Sequence, residues 1–88
     1  MPIIIVERVF PQPMTMETFA GAGAVLQPCL DVRDIRWIAS CISKDGLRSM
    51  CRFEARDAEL VRQANREAGL PFEKVWVATE VTPADMAK

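Results

Sequence analysis

The residues of this chain best suited to chemistry are its three cysteines, Cys29, Cys41 and Cys51. They are widely spaced and never form a Cys-x-x-Cys pair, so the spacing typical of a zinc site is missing. Such cysteines are most often small buried hydrophobic side chains. The alternative is a thiolate that binds a metal or acts as a nucleophile, and Cys41 and Cys51 are equally good candidates for it.

Two strands predicted below to be neighbours in a sheet each carry a carboxylate, Glu7 near the end of the first and Glu54 at the end of the third. If these carboxylates approach each other, their pKa values would separate, and the pair could act as acid and base or bind a cation. The alternative is that each carboxylate pairs with an arginine, for which Arg8, Arg36 and Arg52 are available.

The two tryptophans, Trp37 and Trp76, could stack against a ligand, or they could belong to a core or a subunit interface. We favour the interface for Trp37. The ligand-binding candidates are therefore Glu7, Trp37, Cys51 and Glu54, and no catalytic residue is assigned. Cys51 and Glu54 are the nearest to metal ligands, although no metal site is predicted.

The composition excludes several functions. No histidine or tyrosine is present, which removes the commonest general base and Ser-His-Asp or Cys-His catalysis within one chain. A net charge of −1 gives no broad basic surface for nucleic acid or membranes. The longest apolar run, Met1–Val6, has the features of neither a signal peptide nor a membrane span. We expect a single cytoplasmic domain, residues 1–88, with reduced cysteines.

A β-hairpin over residues 35–55 is the clearest structural prediction, because Asp45-Gly46 lies between two strand-like runs. A two-residue turn pairs Ser40 with Cys51, and a three-residue loop would shift this register by one residue. We prefer the first register because it gathers the less polar residues on one face. That face would carry Ile38, Ser40, Ile42, Ser49, Cys51 and Phe53. The outer face would carry Trp37, Ala39, Cys41, Met50, Arg52 and Glu54.

The remaining elements are predicted from caps, prolines and periodicity. The first helix should begin after Thr15 and end near residues 25–27, before Pro28. The second should begin after Asp57 and end at Gly69. The predicted strands outside the hairpin are residues 3–10 and 73–81, and residues 82–88 are predicted to be a frayed tail.

The resulting β-α-β-β-α-β order predicts an α+β ferredoxin-like fold. Right-handed crossovers give an antiparallel sheet of strand order 4-1-3-2 with both helices on one face. The other face then lacks a cover within the monomer. We expect a homodimer packed through this outer face, with Trp37 near its centre.

These residues also resemble a family of small bacterial ferredoxin-like proteins of unknown function, one member of which is a nickel-binding protein. The residues that carry the resemblance are Val6-Glu7-Arg8 with Phe10-Pro11, Arg36-Trp37-Ile38 with Ser40, Asp45-Gly46, Cys51 with Phe53-Glu54-Ala55, and Ala68-Gly69-Leu70-Pro71. The resemblance implies a dimer and nickel as a cofactor. Relatives carry histidine in the helix before Ala-Gly-Leu-Pro, where this chain has Ala64 and Asn65.

The function predicted from all of this is a small binding protein of unknown ligand, with nickel suggested by the resemblance alone. One alternative is an enzyme of the dimeric α+β-barrel type, monooxygenase-like or isomerase-like, that would use Glu7, Glu54 and Cys51. Another is a purely structural or regulatory homodimer.

Overall fold

A computed structural model describes residues 1–87 of the chain. Within these residues the elements are β1 (Ile3–Val9), α1 (Met16–Asp31), β2 (Arg36–Ile42), β3 (Arg48–Glu54), α2 (Ala58–Glu67), β4 (Lys74–Ala78) and α3 (Pro83–Met86). Apart from the short α3, this is the predicted β-α-β-β-α-β order.

The four strands form one sheet in the order β2-β3-β1-β4, and every neighbouring pair is antiparallel. Read from the other edge, this is the predicted order 4-1-3-2, so the ferredoxin-like fold is confirmed. The first strand lies in the middle of the sheet, because β3 pairs with one of its edges and β4 with the other.

The core lies between the sheet and the two long helices. Alternate strand residues point into it, and each helix contributes one apolar stripe. Burying each of the larger aliphatic or aromatic side chains contributes roughly 1.5–3 kcal/mol to stability. The buried residues of this cluster are Ile4, Val6, Leu26, Leu30, Ile35, Cys51, Phe53, Ala55, Ala58, Val61, Ala64 and Val75.

Helix α1 begins as predicted, since the Thr15 side chain accepts from the Thr18 backbone N–H in a capping box. The predicted end before Pro28 is wrong, because the helix continues to Asp31 with Pro28 inside it. Leu30, which is 2% exposed, lies in the core two residues further on. The gain from burying Leu30 therefore outweighs the hydrogen bond that a proline cannot donate.

The predicted caps of α2 are confirmed. The Asp57 side chain accepts from the Leu60 backbone N–H at the first turn. At the other end Gly69 has a φ of +72°, and the backbone N–H of Leu70 donates to the Asn65 carbonyl. This Schellman arrangement directs the chain back towards the sheet at Leu70 and Pro71.

The preferred hairpin register is confirmed from Ala39 to Ile42, with Ser40 opposite Cys51 and Cys41 opposite Met50, whereas the pairing of Arg36 and Trp37 is shifted by one residue. The connection is longer than predicted, because Ser43 and Arg48 still pair and residues 44–47 form the loop. Hydrogen bonds from the Ser43 hydroxyl and the Leu47 backbone N–H hold the pKa of Asp45 below its ordinary value. The loop thus adds length without changing which residues face each other.

The C-terminal region differs from the prediction in two ways. The last strand ends at Ala78 rather than at residue 81. Residues 83–86, predicted to be part of a frayed tail, form the short helix α3, whose N-cap is Thr82. The end of that predicted tail, residue 88, lies outside the described residues. None of the helices in residues 1–87 is long and apolar enough to cross a membrane.

Candidate functional site

A cleft of about 50 Å³ opens between α1 and the β2–β3 side of the sheet. Its walls are mainly apolar, since α1 contributes Phe19, Leu26 and Leu30 and the sheet contributes Phe53. The remaining lining residues are Arg8, Gly23, Gln27, Trp37, Ser40, Cys51 and Leu70. An apolar lining with a few polar groups is typical of a small-molecule site, but the volume is well below the roughly 300–1,000 Å³ of such sites, so the cleft suits only a small ligand.

Trp37 lies at this cleft and not on the outer face of the sheet, so its predicted orientation is wrong. Between Trp37 and Ala39 the β2 strand advances by two residues while its partner advances by one, from Phe53 to Arg52. Ile38 is therefore the extra residue of a β-bulge. Because side chains alternate between the faces, this insertion turns Trp37 to the same side as the buried Phe53.

The Trp37 side chain lines the cleft. It is 48% exposed, and its Nε1 donates a hydrogen bond of 2.9 Å to the Ser40 hydroxyl. The bond fixes the ring while leaving much of its surface accessible. An exposed, oriented indole beside an apolar cleft is suited to stacking against a ligand.

Cys51 lies deeper, on the inner face of β3, where it is 4% exposed. It is the strand partner of Val6 on one side and of Ser40 on the other. The prediction that Cys41 and Cys51 face opposite sides holds, since Cys41 is exposed on the outer face. The fold therefore brings two of the four predicted ligand-binding residues, Trp37 and Cys51, to one cleft.

Arg8 contributes a buried positive charge to the same cleft. Its side chain donates to the Pro71 carbonyl at 2.9 Å and to the Asn65 side-chain oxygen, and the residue is 6% exposed. Burial lowers the pKa of Arg8, and the nearness of Cys51 acts in the opposite direction. The charged head is thus held among neutral groups rather than beside a carboxylate.

The two predicted carboxylates do not approach each other, and neither lies in the cleft. Ile3 is the partner of Glu54 and Met50 is the partner of Glu7, so four residues of β1 separate the two positions. At ~3.3 Å per residue this is about 13 Å. Glu7 instead accepts a 2.7 Å hydrogen bond from Trp76 Nε1, and Glu54 pairs with Arg36 at 3.1 Å. Pairing with an arginine was the predicted alternative for Glu54.

A second, open depression of about 330 Å³ lies along the outer face of the sheet and reaches around its end, since its lining includes the inner-face residues Arg8 and Ser49. Glu7, Cys41 and Met50 form one row across this face, since Cys41 is the partner of Met50 and Met50 is the partner of Glu7. Glu73 also lines it. The exposed thiol and Glu7 are therefore separated from the cleft by the sheet itself.

The sequence prediction missed Arg8 as a residue of the cleft and Asn65 as its buried hydrogen-bond partner. Arg8 had been considered only as a partner for a carboxylate. Its position carried a signal, because it follows Ile4 and Val6 at a spacing of two, which places all three on the inner face of β1. Asn65 is fully buried, and it lies one turn after the buried Val61, whose carbonyl accepts from its side-chain nitrogen at 2.8 Å.

A family model described as "Nickel responsive protein SCO4226-like" matches residues 5–77 of the chain. The chain belongs to the SCO4226-like family. The predicted resemblance is thereby confirmed, and the match spans Arg8, Trp37, Cys51 and Asn65. Among curated protein sequences, none matches the chain.

A solved structure of the family shares the fold. The crystal structure of SCO4226 from Streptomyces coelicolor A3(2) has a TM-score of 0.82 to this chain and is 11% identical in sequence. The similarity covers 91% of this chain and 99% of the other. At so low an identity the likeness establishes the common fold alone.

The potential metal ligands of this SCO4226-like chain are scattered. Within residues 1–87, no three Cys, Asp or Glu side chains lie close enough together to hold a metal ion. Cys29 is on α1, Cys41 is on the outer face and Cys51 is on the inner face. The group beside Cys51 is the Arg8 guanidinium, which repels a cation.

Proposed function

We propose that the protein is a small-molecule-binding protein whose ligand occupies the cleft between α1 and the sheet. The observation that carries the proposal is the convergence of Trp37, Cys51 and Arg8 on one apolar cleft. The three residues come from three different strands, and a bulge brings Trp37 to the correct side. Together they provide an aromatic surface, a soft polar group and a positive charge.

The distribution of the carboxylates favours binding over catalysis. The enzyme alternative required Glu7, Glu54 and Cys51 in one site. Glu7 is bonded to Trp76 on the outer face, and Glu54 is paired with Arg36 at the other end of the sheet. No Asp or Glu within residues 1–87 lines the cleft, so the cleft lacks the carboxylate base that such a reaction would need.

Nickel, named in the family description, does not fit the residues of this chain. Nickel sites usually rely on imidazole, thiolate or both, and the chain has no histidine. The thiols are on separate surfaces, and the thiol in the cleft lies beside a guanidinium. The proposal therefore assigns the cleft to an organic or anionic ligand rather than to a metal ion.

The two tryptophans provide the test, because each has one indole N–H signal in an NMR spectrum and they lie on opposite faces of the sheet. Four small probes are titrated into ¹⁵N-labelled protein: butyrate, butyramide, benzoate and benzamide. We expect at least one probe to shift the Trp37 indole signal and leave the Trp76 signal in place. The same probe should slow alkylation of Cys51 and not of Cys41.

Two glycines of α1 offer a matched pair of variants. Gly23 lines the cleft and Gly21 does not, while a Cβ added at either position would meet no atom within 4 Å. Both Gly→Leu changes should strengthen the helix, by roughly 0.8 kcal/mol. Gly23→Leu should abolish the probe-induced shift, and Gly21→Leu should retain it. If no probe affects Trp37, or if both variants respond equally, the cleft is not the binding site.

A further inference from the structure

Arg8 is a buried cation without a buried anion to neutralise it. The ion pairs of residues 1–87 join Arg33, Arg36, Arg52, Arg62 and Arg66 to glutamates, all at least partly exposed, and none includes Arg8. An arginine stays protonated in proteins, so Arg8 cannot avoid the cost of burial by becoming neutral. Removing a charge from water without a counter-charge is costly.

The neighbours of Arg8 satisfy its hydrogen bonds only in part. A guanidinium has five N–H donors. The protein groups that accept from it are the Pro71 carbonyl and the Asn65 oxygen. Directly opposite Arg8 on β3, the hydroxyl of the buried Ser49 has no hydrogen-bond partner among residues 1–87. Donors without acceptors thus collect on the inner face around this one charge.

The cleft beside Arg8 would favour an anion. Arg8 is the one charged residue among those that line it, as far as residues 1–87 are concerned. Glu7, the nearest acidic residue in sequence, has its carboxylate bonded to Trp76 on the other face of the sheet. Because the remaining walls are largely apolar, the field of the guanidinium is weakly screened there.

We propose that the ligand of this cleft is a small molecule with an apolar body and one anionic group, and that Arg8 recognises the anion. This rests on the proposed function, since it names the ligand class of the same cleft. The apolar body would lie against Phe19, Leu26 and Trp37. The anion would accept from the free N–H groups of Arg8 at the inner end.

A structural role for Arg8 alone makes a different prediction. The residue joins β1 to α2 through Asn65 and to the segment before β4 through Pro71. If Arg8 had only this structural role, the cleft would bind a neutral molecule and an anion of the same shape with equal affinity. The acid and amide probes differ in charge and hardly in shape, so their affinity ratio separates the two roles.

The measurement is the ratio of dissociation constants for butyramide and butyrate, and for benzamide and benzoate, read from the Trp37 indole signal at neutral pH. We expect each acid to bind at least about tenfold more tightly than its amide, as for a hydrogen bond to a charged group. The Arg8 Nε–H signal should move with the acid and not with the amide. Arg8→Gln should reduce the ratio to about one, while Arg48→Gln, on the exposed outer face, should leave it unchanged.

The results of these titrations test the anion proposal separately from the proposed function. Equal affinities in the unaltered protein would overturn the anion proposal and leave the cleft a binding site for neutral molecules. A folded Arg8→Gln variant that keeps the preference would also overturn it. Should that variant not fold, the wild-type ratio and the Arg8 signal still decide. Failure of all four probes to shift Trp37 would instead refute the proposed function.

Discussion

Arg8 stabilises the fold and shapes the cleft at the same time. From the middle strand its guanidinium reaches Asn65 on α2 and the Pro71 carbonyl before β4. Such a residue ties together elements that are far apart in sequence. Its substitution will therefore affect both stability and binding, which is why comparing an acid with its amide is more informative than the loss of binding alone.

The three thiols lie in three environments that chemical modification can distinguish. Cys41 is exposed on the outer face, Cys29 is half-buried on α1, and Cys51 is buried. With an aromatic disulfide reagent, we expect native Cys41 to react at least about tenfold faster than Cys51, which must wait for local opening. Cys41→Ser should remove the fast phase. Denatured, non-reduced protein should show three free thiols, and finding one would mean that two of the cysteines are bonded, which their separate positions do not allow.

We expect nickel binding to be weak or absent, because the chain has no histidine and its thiols lie on separate surfaces. Titration calorimetry with nickel at neutral pH should show no stoichiometric site of submicromolar affinity. Cys51→Ser and Cys41→Ser provide the comparison, since one thiol is in the cleft and the other is on the outer face. A tight site lost in Cys51→Ser alone would contradict this expectation and restore a metal role to the cleft.

At the scale of elements, the loop of the β2–β3 hairpin depends on Gly46. Its φ of +75° is in the left-handed region, and a Cβ there would lie 2.9 Å from the backbone N and O of Met14. Met14 N–H in turn donates to the Gly46 carbonyl. The loop therefore packs directly on the segment that leads into α1.

Two Gly→Ala variants separate the conformational cost from the steric one. Gly69 has a similar φ of +72° with no atom within 4 Å of an added Cβ. Gly69→Ala should lower the free energy of unfolding by about 1–2 kcal/mol, the cost of a left-handed alanine. Gly46→Ala should lower it by roughly 3 kcal/mol or more, because the Met14 backbone must also move. Urea unfolding measures both, and equal losses would show that the contact with Met14 yields easily.

The elements could be predicted from the sequence where a local signal coincided with the tertiary structure. Thr15, Asp57 and Gly69 act as caps, and Asp45-Gly46 gives the register of the hairpin. The helix end predicted from Pro28 was wrong, because the local preference of this proline was weaker than the gain from burying Leu30 two residues later.

The cleft could be predicted only in part. The bulge at Ile38 reverses the orientation of Trp37. The sequence of β2, taken as side chains that alternate between the two faces of the sheet, contains no signal of an inserted residue. Cys51 was assigned to the correct face because β3 is regular. Arg8 was missed because charged residues are rarely expected inside a core, although its spacing from Val6 placed it there.

At the scale of the molecule, the outer face of the sheet stays uncovered within residues 1–87, and we propose that a second copy covers it. On this face Met50 is 43% exposed and Trp76 is 40% exposed. They lie next to Cys41 and the buried Ile5. Two pairs of opposite charge lie on this face, Arg52 with Glu80 and Arg36 with Glu54, the first of them beside Ile5. A face that carries both signs of charge is suited to self-association about a two-fold axis.

The position of Trp37 changes which variant tests this dimer. Met50→Lys would bury an unpaired charge and should weaken the dimer at least about a hundredfold. Trp37→Arg, now placed at the cleft, should leave the assembly unchanged. Light scattering after size exclusion at matched concentrations measures both variants. A monomeric wild type, or a dimer lost in Trp37→Arg and kept in Met50→Lys, would contradict the proposed interface.

The central place of β1 has a consequence during synthesis on the ribosome. Among the strands, β1 is synthesised first. Its partner β4, which pairs with one of its edges, spans residues 74–78 and is synthesised last. At about 5–20 residues per second, β1 waits roughly 3–14 s before both edges can be paired. Meanwhile Ile3–Val6, four β-branched residues without a charge, is a segment prone to intermolecular β-pairing. The nascent chain should therefore depend on chaperones, or on slow translation of the hairpin, more than its small size suggests.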